Sequence, residues 1–536
     1  MNGQQHIKRL EALKPKRLTV EQFWRDAYNS TYPLRGAKIG NDGADALSAS
    51  FEKSARIYDG TLKNSVRKLA AQLVSGLTPS AMQWFLLEAT GVKDSAGMKW
   101  LEQFSKDLHA EIHGSNYDSA SFEFAIDYVC AMAVCYVEDA LETDPEAENL
   151  YVFHTWPLHS CYFADSTGKG KIDTLYRPYS LTAEQAVATF TDKRYPLSDE
   201  VTKAAKEKPD QMFDFVHAIY PRGKKRKKTE LPWASEHTEL KTKKLVRVSG
   251  YHEQPFTVGR SVLIPDSVYS LGPADDALPD HKTLNEVVKL VLSNADMAIA
   301  GMWGAVDDGV VNAKTIKVGA RKIIAMASKD SFFPLKPGGD FNVGFLAKEK
   351  LQGNVKETMM SDELHPEDGP QMTAYEVARR YDKVRQLFGP MLSRLQSEHI
   401  SGMIKRCAGI ALRRGMGGVM PESIRGRVNK ITYKAPLSQS QRNQDVMAIE
   451  RFEAGLINSA KVKPDVVDVY DWEEGKREQA TLLNVPAKLI KDSKAVQQLR
   501  EKRAEEMMAM QKEQQKAEMM KSVAPVVARG AQENAG

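Results

Sequence analysis

The spacing of apolar residues changes along this chain more than once, and that change restricts the fold more than any motif does. From Thr283 to Met302, Leu284, Val287, Val288, Val291, Leu292 and Ala295 recur every three or four positions, the spacing of one apolar helix face. Helical spacing then stops. Residues 304 to 341 carry strand-like pieces, "KTIKV" and "KIIAMAS", and close on "SFFPLKPGGD", read as a proline and glycine loop. It resumes from about Val343 to Leu364. A single helical bundle or a single sheet cannot contain that alternation.

The same change marks the first half. Up to about residue 140 the pattern is mostly helical, with "LKNSVRKLAAQLVSGLTP" amphipathic and stopped by Gly76, Thr78 and Pro79. Between about 150 and 270 short strands are expected at "LYVFHTW", "CYFAD", "DTLYRPY", "FDFVHAIYP" and "KLVRVSGYHE", with a short helix at "SLTAEQAVATF". The expected class is α+β, mainly helical.

After Leu364 comes a sharp turn, His365, Pro366, Glu367, Asp368, Gly369, Pro370 and Gln371. Thr373 and Glu376 follow it at capping-box spacing, so a helix is expected to start there and anchor the turn. Val377, Tyr381, Val384, Phe388, Met391 and Leu395 continue one apolar face to about Arg414, with a kink expected at Gly389 and Pro390. Asp362, Glu363, Glu367 and Asp368 make the turn acidic, whereas Arg379, Arg380, Lys383 and Arg385 make the next helix basic. In one copy this suits the helix dipole; repeated around a ring, it would line an opening with repulsive and attractive belts for a phosphate backbone. From Lys488 the chain is charged and rich in Met and Gln, suggesting an exposed or self-associating helix and a frayed end.

Composition excludes several functions. With 75 Lys and Arg against 70 Asp and Glu the formal charge is only +5, too little for a protein that grips nucleic acid by bulk charge. Cys130, Cys135, Cys161 and Cys407 have neither zinc spacing nor the density of a disulfide scaffold, and suit a reducing compartment. Neither a signal peptide nor a membrane span is indicated. There is no GxSxG, HExxH, P-loop or strand-to-helix GxGxxG, so no catalytic residue, metal or cofactor is expected. "GMGGV" follows a helix and reads as its stop; "RGKKRKK", Arg222 to Lys228, reads as a solvated loop between strands. His217 and His252 sit in strand-like contexts that favour structural roles, and the acid pairs at Asp275, Asp276 and Asp307, Asp308 read as turns.

Several segments, in order, resemble the portal, or head-to-tail connector, proteins of short-tailed bacteriophages. They are "LAAQLVSGLTPSAMQWFLLE", "SLTAEQAVATF", "GYHEQPFTVGR", "LGPADDALPDHKTLNEVVK", "QMTAYEVARR" and "DVYDWEEGKREQATLLNVP". The resemblance departs before Gly272, where "YSL" stands in place of the family's Tyr-Gly and a polar residue.

The resemblance implies a wing over residues 1–282, stem helices at 283–303 and 342–364, and a clip at 304–341. It implies a tunnel loop at 365–371, a long kinked wing helix at 372–418, wing and crown helices at 419–495 and a C-terminal helix and tail at 496–536. Phe332, Phe333 and Lys336 would then offer partner contacts at the clip, the alternative for the two phenylalanines being clip core. The implied molecule is a homo-oligomeric ring, of about twelve copies, at one capsid vertex of the virion. Double-stranded DNA is packaged and later ejected through its axis. Implied partners are the terminase large subunit, tail adaptor, capsid and scaffolding proteins, with internal core proteins as a further candidate; synthesis is in the host cytoplasm. Such a ring is a passive conduit and not an enzyme, and near-neutral charge suits it because tight binding would stall the DNA. The rival readings are a helical scaffold or filament-forming protein and a nucleic-acid enzyme, for which Asp275, Asp276 and the "DDG" at Asp307 to Gly309 would be the metal-binding candidates.

Overall fold

The computed structural model describes residues 2–300, 302–305, 332–335, 341–360, 389–512 and 514, save 41, 42, 44, 91–93, 224–226, 228, 435, 462, 484, 486–488 and 490–495. In chain order the helices are α1 (Gly3–Ser30), α2 (Ala46–Ala55), α3 (Thr61–Leu77), α4 (Ser95–Gly114), α5 (Tyr117–Cys130), α6 (Ala140–Thr143), α7 (Ala183–Thr189), α8 (Asp199–Glu207), α9 (Ala274–Ala300) and α10 (Phe341–Thr358). The strands up to the same point are β1 (Phe85–Ala89), β2 (Ala133–Asp139), β3 (Tyr151–Thr155), β4 (Tyr162–Ala164), β5 (Thr174–Thr182), β6 (Met212–Pro221), β7 (Trp233–Glu239), β8 (Leu245–Tyr251), β9 (Phe256–Gly259), β10 (Val262–Leu263), β11 (Ser270–Leu271), β12 (Met302–Ala305) and β13 (Phe332–Leu335). The class is α+β and mainly helical.

The chain forms two compact units. The first comprises Met1–Phe85, Lys106–Met416 and Ala435–Ser440; the second comprises Leu86–Ser105, Gly417–Lys434 and Gln441–Gly536. In the first unit a five-stranded antiparallel sheet runs β4-β5-β6-β7-β8 and a three-stranded one runs β3-β2-β9. α7 begins at a capping box, Thr182 accepting from the Gln185 amide while Gln185 reaches back, and packs with α8 on one apolar cluster containing Ala183, Val201, Phe215 and Val246. On another cluster Leu10 and Leu13 of α1 meet Tyr176 and Val216.

Several buried charges in this unit are matched. Arg17 lies over the Tyr162 ring, pairs with Glu21 and donates to the carbonyl of Cys161. Arg35 pairs with Asp127, and Arg406 with Glu253. Such pairs add little net stability, but breaking one would strand a desolvated charge. All four cysteines are buried free thiols, with Cys130 and Cys135 pushed up to about 12 by burial. They are structural and not reactive.

The long helix after Gly389 contains a register change. Gly389 and Pro390 are helical, Gln396–Ile400 form a π segment, and α11 (Ser401–Arg413) continues it. Arg260 pairs with Glu398, His399 stacks on Phe124 with centroids 3.9 Å apart, and Thr257 shares a hydrogen bond with His399 Nδ1 at 2.8 Å. α11 ends at "GMGGV" as its glycines predict: Gly415 has φ +85, and the Met416 amide donates back to the Ala411 carbonyl at 2.9 Å.

In the second unit β1 pairs with β14 (Val428–Tyr433). Trp100 stacks on Phe104 and donates to the Gly417 carbonyl at 2.8 Å. Gly417 has φ +77, and a Cβ there would stand 2.8 Å from Phe104, so only glycine fits. Residues 496–512 are helical and expose Met507, Met508 and Met510.

Several expectations need correcting. α9 starts at Ala274, nine positions before Thr283, because Pro279 is accommodated inside it at the loss of one backbone bond. α10 runs Phe341–Thr358, and Phe332–Leu335 form a strand, so "FFPLKPGGD" does not begin as a loop. Strands β2, β7 and β9 and helix α8 lay outside the expected elements. His252 is exposed just past β8, whereas His217 is buried and bonded to Ser235. Arg222–Lys228 does fall between two strands, β6 and β7.

Candidate functional site

The element that stands apart is the pair α9 and α10. By its length of 27 residues, α9 runs for about 40 Å. Immediately after it, β12 pairs antiparallel with β13, Trp303 opposite Pro334 and Gly304 opposite Phe333, and α10 follows. The helices run in opposite directions. Near the strand end Gly344 faces Val291, where a Cβ would come within 2.8 Å of the valine methyl; near the other end Asn285 and Gln352 both bond to the turn containing Asp59. The glycine sets the closeness of the helices.

A polar cluster fixes the base of this hairpin. Asn285 Oδ1 accepts from the amides of Tyr58 and Asp59, at 2.7 and 3.2 Å, while its Nδ2 donates to the Arg56 carbonyl at 3.2 Å. Gln352 donates to Asp59 Oδ2 at 2.7 Å, and the Thr61 amide to Oδ1 at 2.8 Å. Burial alone would raise the Asp59 pKa, but these hydrogen bonds outweigh it and hold the carboxyl below its usual range. His281 is buried beside the cluster, and desolvation holds its pKa below the ordinary histidine value, with Asp59 opposing. Lys282 pairs with Asp26 of α1 at 2.8 Å, and Val355 and Met359 are buried. The hairpin is anchored at one end.

Away from the base it is open. Leu290, Leu292, Ile299, Phe345 and Leu346 are exposed, Ile299 by 87% and Leu346 by 68%. A monomer gains nothing from these side chains in water, so the distal hairpin suits burial against another protein surface. No described helix is long and apolar enough to cross a membrane.

The residues singled out from the sequence are distributed as follows. His365 to Gln371, Thr373, Glu376, Lys336 and Asp307 to Gly309 lie outside the described residues. Phe332 and Phe333 belong to the strand that closes the hairpin, and Gly389 and Pro390 open the described part of the long helix. Asp275 and Asp276 occupy the first turn of α9, not a loop; burial and its neighbour's charge raise Asp275. Sequence reasoning missed Asp59, Asn285 and Gln352. The available signals were the turn-like "YDG" and single amides within the two helical stretches.

Comparison with known proteins identifies a family for this chain. The family model for bacteriophage head to tail connecting proteins matches residues 3–490. The probable portal protein of Bordetella phage BPP-1 is 22% identical over 539 residues, spanning 94% of this chain and 92% of its own. The portal protein of Salmonella phage epsilon15 is 24% identical over 541 residues, with the same coverage. A chain from the neck of an empty gene transfer agent particle, computed with C6 symmetry, is 13% identical with a TM-score of 0.35, covering 76% of this chain and 90% of that one. That score is too low to bear on the fold.

Proposed function

This chain belongs to the bacteriophage head to tail connecting protein family, as a phage portal protein, and from that premise we propose that its copies close into a ring at one capsid vertex. Double-stranded DNA enters the head through the axis of this ring and later leaves by it. The family match over residues 3–490 is the observation that carries the reading. The exposed apolar side chains of α9 and α10 support it, because packing hairpins side by side would bury them in every copy at once.

In this reading residues 283–303 and 342–364 belong to the stem, and 304–341 form a clip that docks first the terminase and then the tail. His365 to Gln371 project into the channel as a tunnel loop anchored by Thr373 and Glu376. The ring performs no covalent chemistry, and ATP hydrolysis belongs to the separate terminase. A net charge of +5 on each subunit suits a conduit, since every phosphate held by a lysine or arginine must be released for the DNA to advance.

Two experiments test this. Gold-labelled antibody against the chain should decorate a single vertex of each head; label on many vertices or on none refutes the portal assignment. Deleting Glu367 to Gly369 should leave rings intact and impair DNA packaging or retention. Normal packaging and retention in that variant would remove the tunnel-loop assignment alone.

A further inference from the structure

Arg177 is a half-buried arginine of the first unit with no carboxylate beside it among the described residues. Arg17, Arg35, Arg260, Arg406 and Arg414 each pair with a carboxylate, respectively Glu21, Asp127, Glu398, Glu253 and Asp139. Arg177, on β5, has no such partner among the described residues. Its guanidinium carbon lies 4.5 Å from the centre of the Trp156 ring and 5.4 Å from that of Tyr179, and its Nε is buried without a hydrogen bond. Burial depresses its pKa, and the groups that oppose this are the Cys161 thiol and the Tyr179 and Tyr136 phenols, with no carboxylate among them. Ring contact offsets part of the desolvation, but a guanidinium still has donors to satisfy.

Arg177 lines a polar recess of about 320 Å³, bordered also by Ser119, Glu123, His154, Thr155 and Trp156. The other polar groups there are engaged. Glu123 faces Arg35 at 3.5 Å, His154 pairs with Glu138 at 2.7 Å, the Thr155 hydroxyl donates to the Ala120 carbonyl and Ser119 to that of Asn116. Trp156 is held in place by stacking on Tyr136 at 4.3 Å. The guanidinium offers spare donors to this recess, and its planar fork matches a carboxylate or phosphate.

We propose that this recess is an oxyanion site in which Arg177, held against the Trp156 ring, receives a carboxylate or phosphate group. The anion comes either free from solution or as an acidic side chain of a neighbouring copy. Only the second source rests on the ring described above, so the site can stand if the ring does not.

The test is calorimetric titration of the full-length protein with inorganic phosphate and, separately, succinate at low ionic strength, alongside particle mass by light scattering. A free anion predicts saturable binding to the wild type, weakened at least tenfold in Arg177→Met and partly kept in Arg177→Lys. A neighbour's carboxylate predicts no uptake of added anion and a loss of particle mass in Arg177→Met. Ser119→Glu covers the case in which Arg177→Met fails to fold: it supplies the missing carboxylate from the border of the recess. It should raise Tm by a few degrees while abolishing anion binding or, for the second source, lowering particle mass. Absence of anion binding in the wild type with unchanged particle mass in the variants overturns the proposal, as does anion binding that Arg177→Met or Ser119→Glu leaves intact.

Discussion

At the scale of single residues, His399 links the packing of the first unit to pH. It is buried between Phe124 and Thr257, and burial depresses its pKa to about 3, against about 6.5 for an exposed histidine. Between those values the unfolded chain holds the extra proton. Stability is therefore complete above about pH 6.5 and falls as the pH drops toward 3, by up to about 1.4 kcal/mol per pH unit from this group. Thermal unfolding from pH 7 to 4.5 should show the decline, and His399→Gln should flatten it; an unchanged slope would mean that other groups dominate. Gly344 gives a second prediction. Its replacement by valine gains about 0.5 kcal/mol or less of helix propensity but sets a Cβ 2.8 Å from the Val291 methyl, and overpacking of that kind costs about 1–3 kcal/mol. The clash wins, so Gly344→Val should lower Tm and spread the hairpin.

At the scale of elements, anchoring of the hairpin rests on Asn285. Asn285→Ala leaves the amides of Tyr58 and Asp59 without their acceptor and should destabilise the base by about 1–3 kcal/mol, seen as faster proteolysis after Arg56. The π segment makes a different prediction. Deleting exposed Ser397 would remove the extra residue that the wide turn absorbs and let the helix close as a regular α-helix, with Leu392 and Leu395 still on their packing face relative to α11. A folded variant with a weakened Arg260 to Glu398 pair is expected, whereas a large loss of Tm would show that the wide turn itself is needed. These elements also show how far sequence could be read. Strands β5, β6 and β8 alternate or run apolar, and α7 announces itself through Thr182 and Gln185, so they were legible. β7 was not, because "WASEHTE" looks polar: Ser235 bonds to His217, Glu236 to His6 and His237 to Tyr179, so the strand is held by side-chain hydrogen bonds in place of apolar contacts. α9 was read short because Pro279 resembles a helix stop, and the π segment has no signature in residue spacing.

At the scale of the whole molecule, sequence order was the most informative feature. Wing-like α+β region, helix, short paired strands and returning helix are each weak alone, and their sequence along the chain pointed to the family that the comparison then matched over residues 3–490. The Asp59 cluster was illegible because it joins a turn near the start of the chain to helices more than 200 positions later. Assembly follows from the same layout. A hairpin fixed at its base, with exposed apolar side chains away from it, would gain stability if copies stood beside one another, so on the proposed reading single protomers should be rare at micromolar concentration. The most direct test is electron microscopy of the purified full-length protein, with particle mass measured by light scattering on the same sample. Closed rings with an open axis and a single mass near twelve protomers are the predicted result. Stable monomers, or open filaments of indefinite mass, would contradict the account.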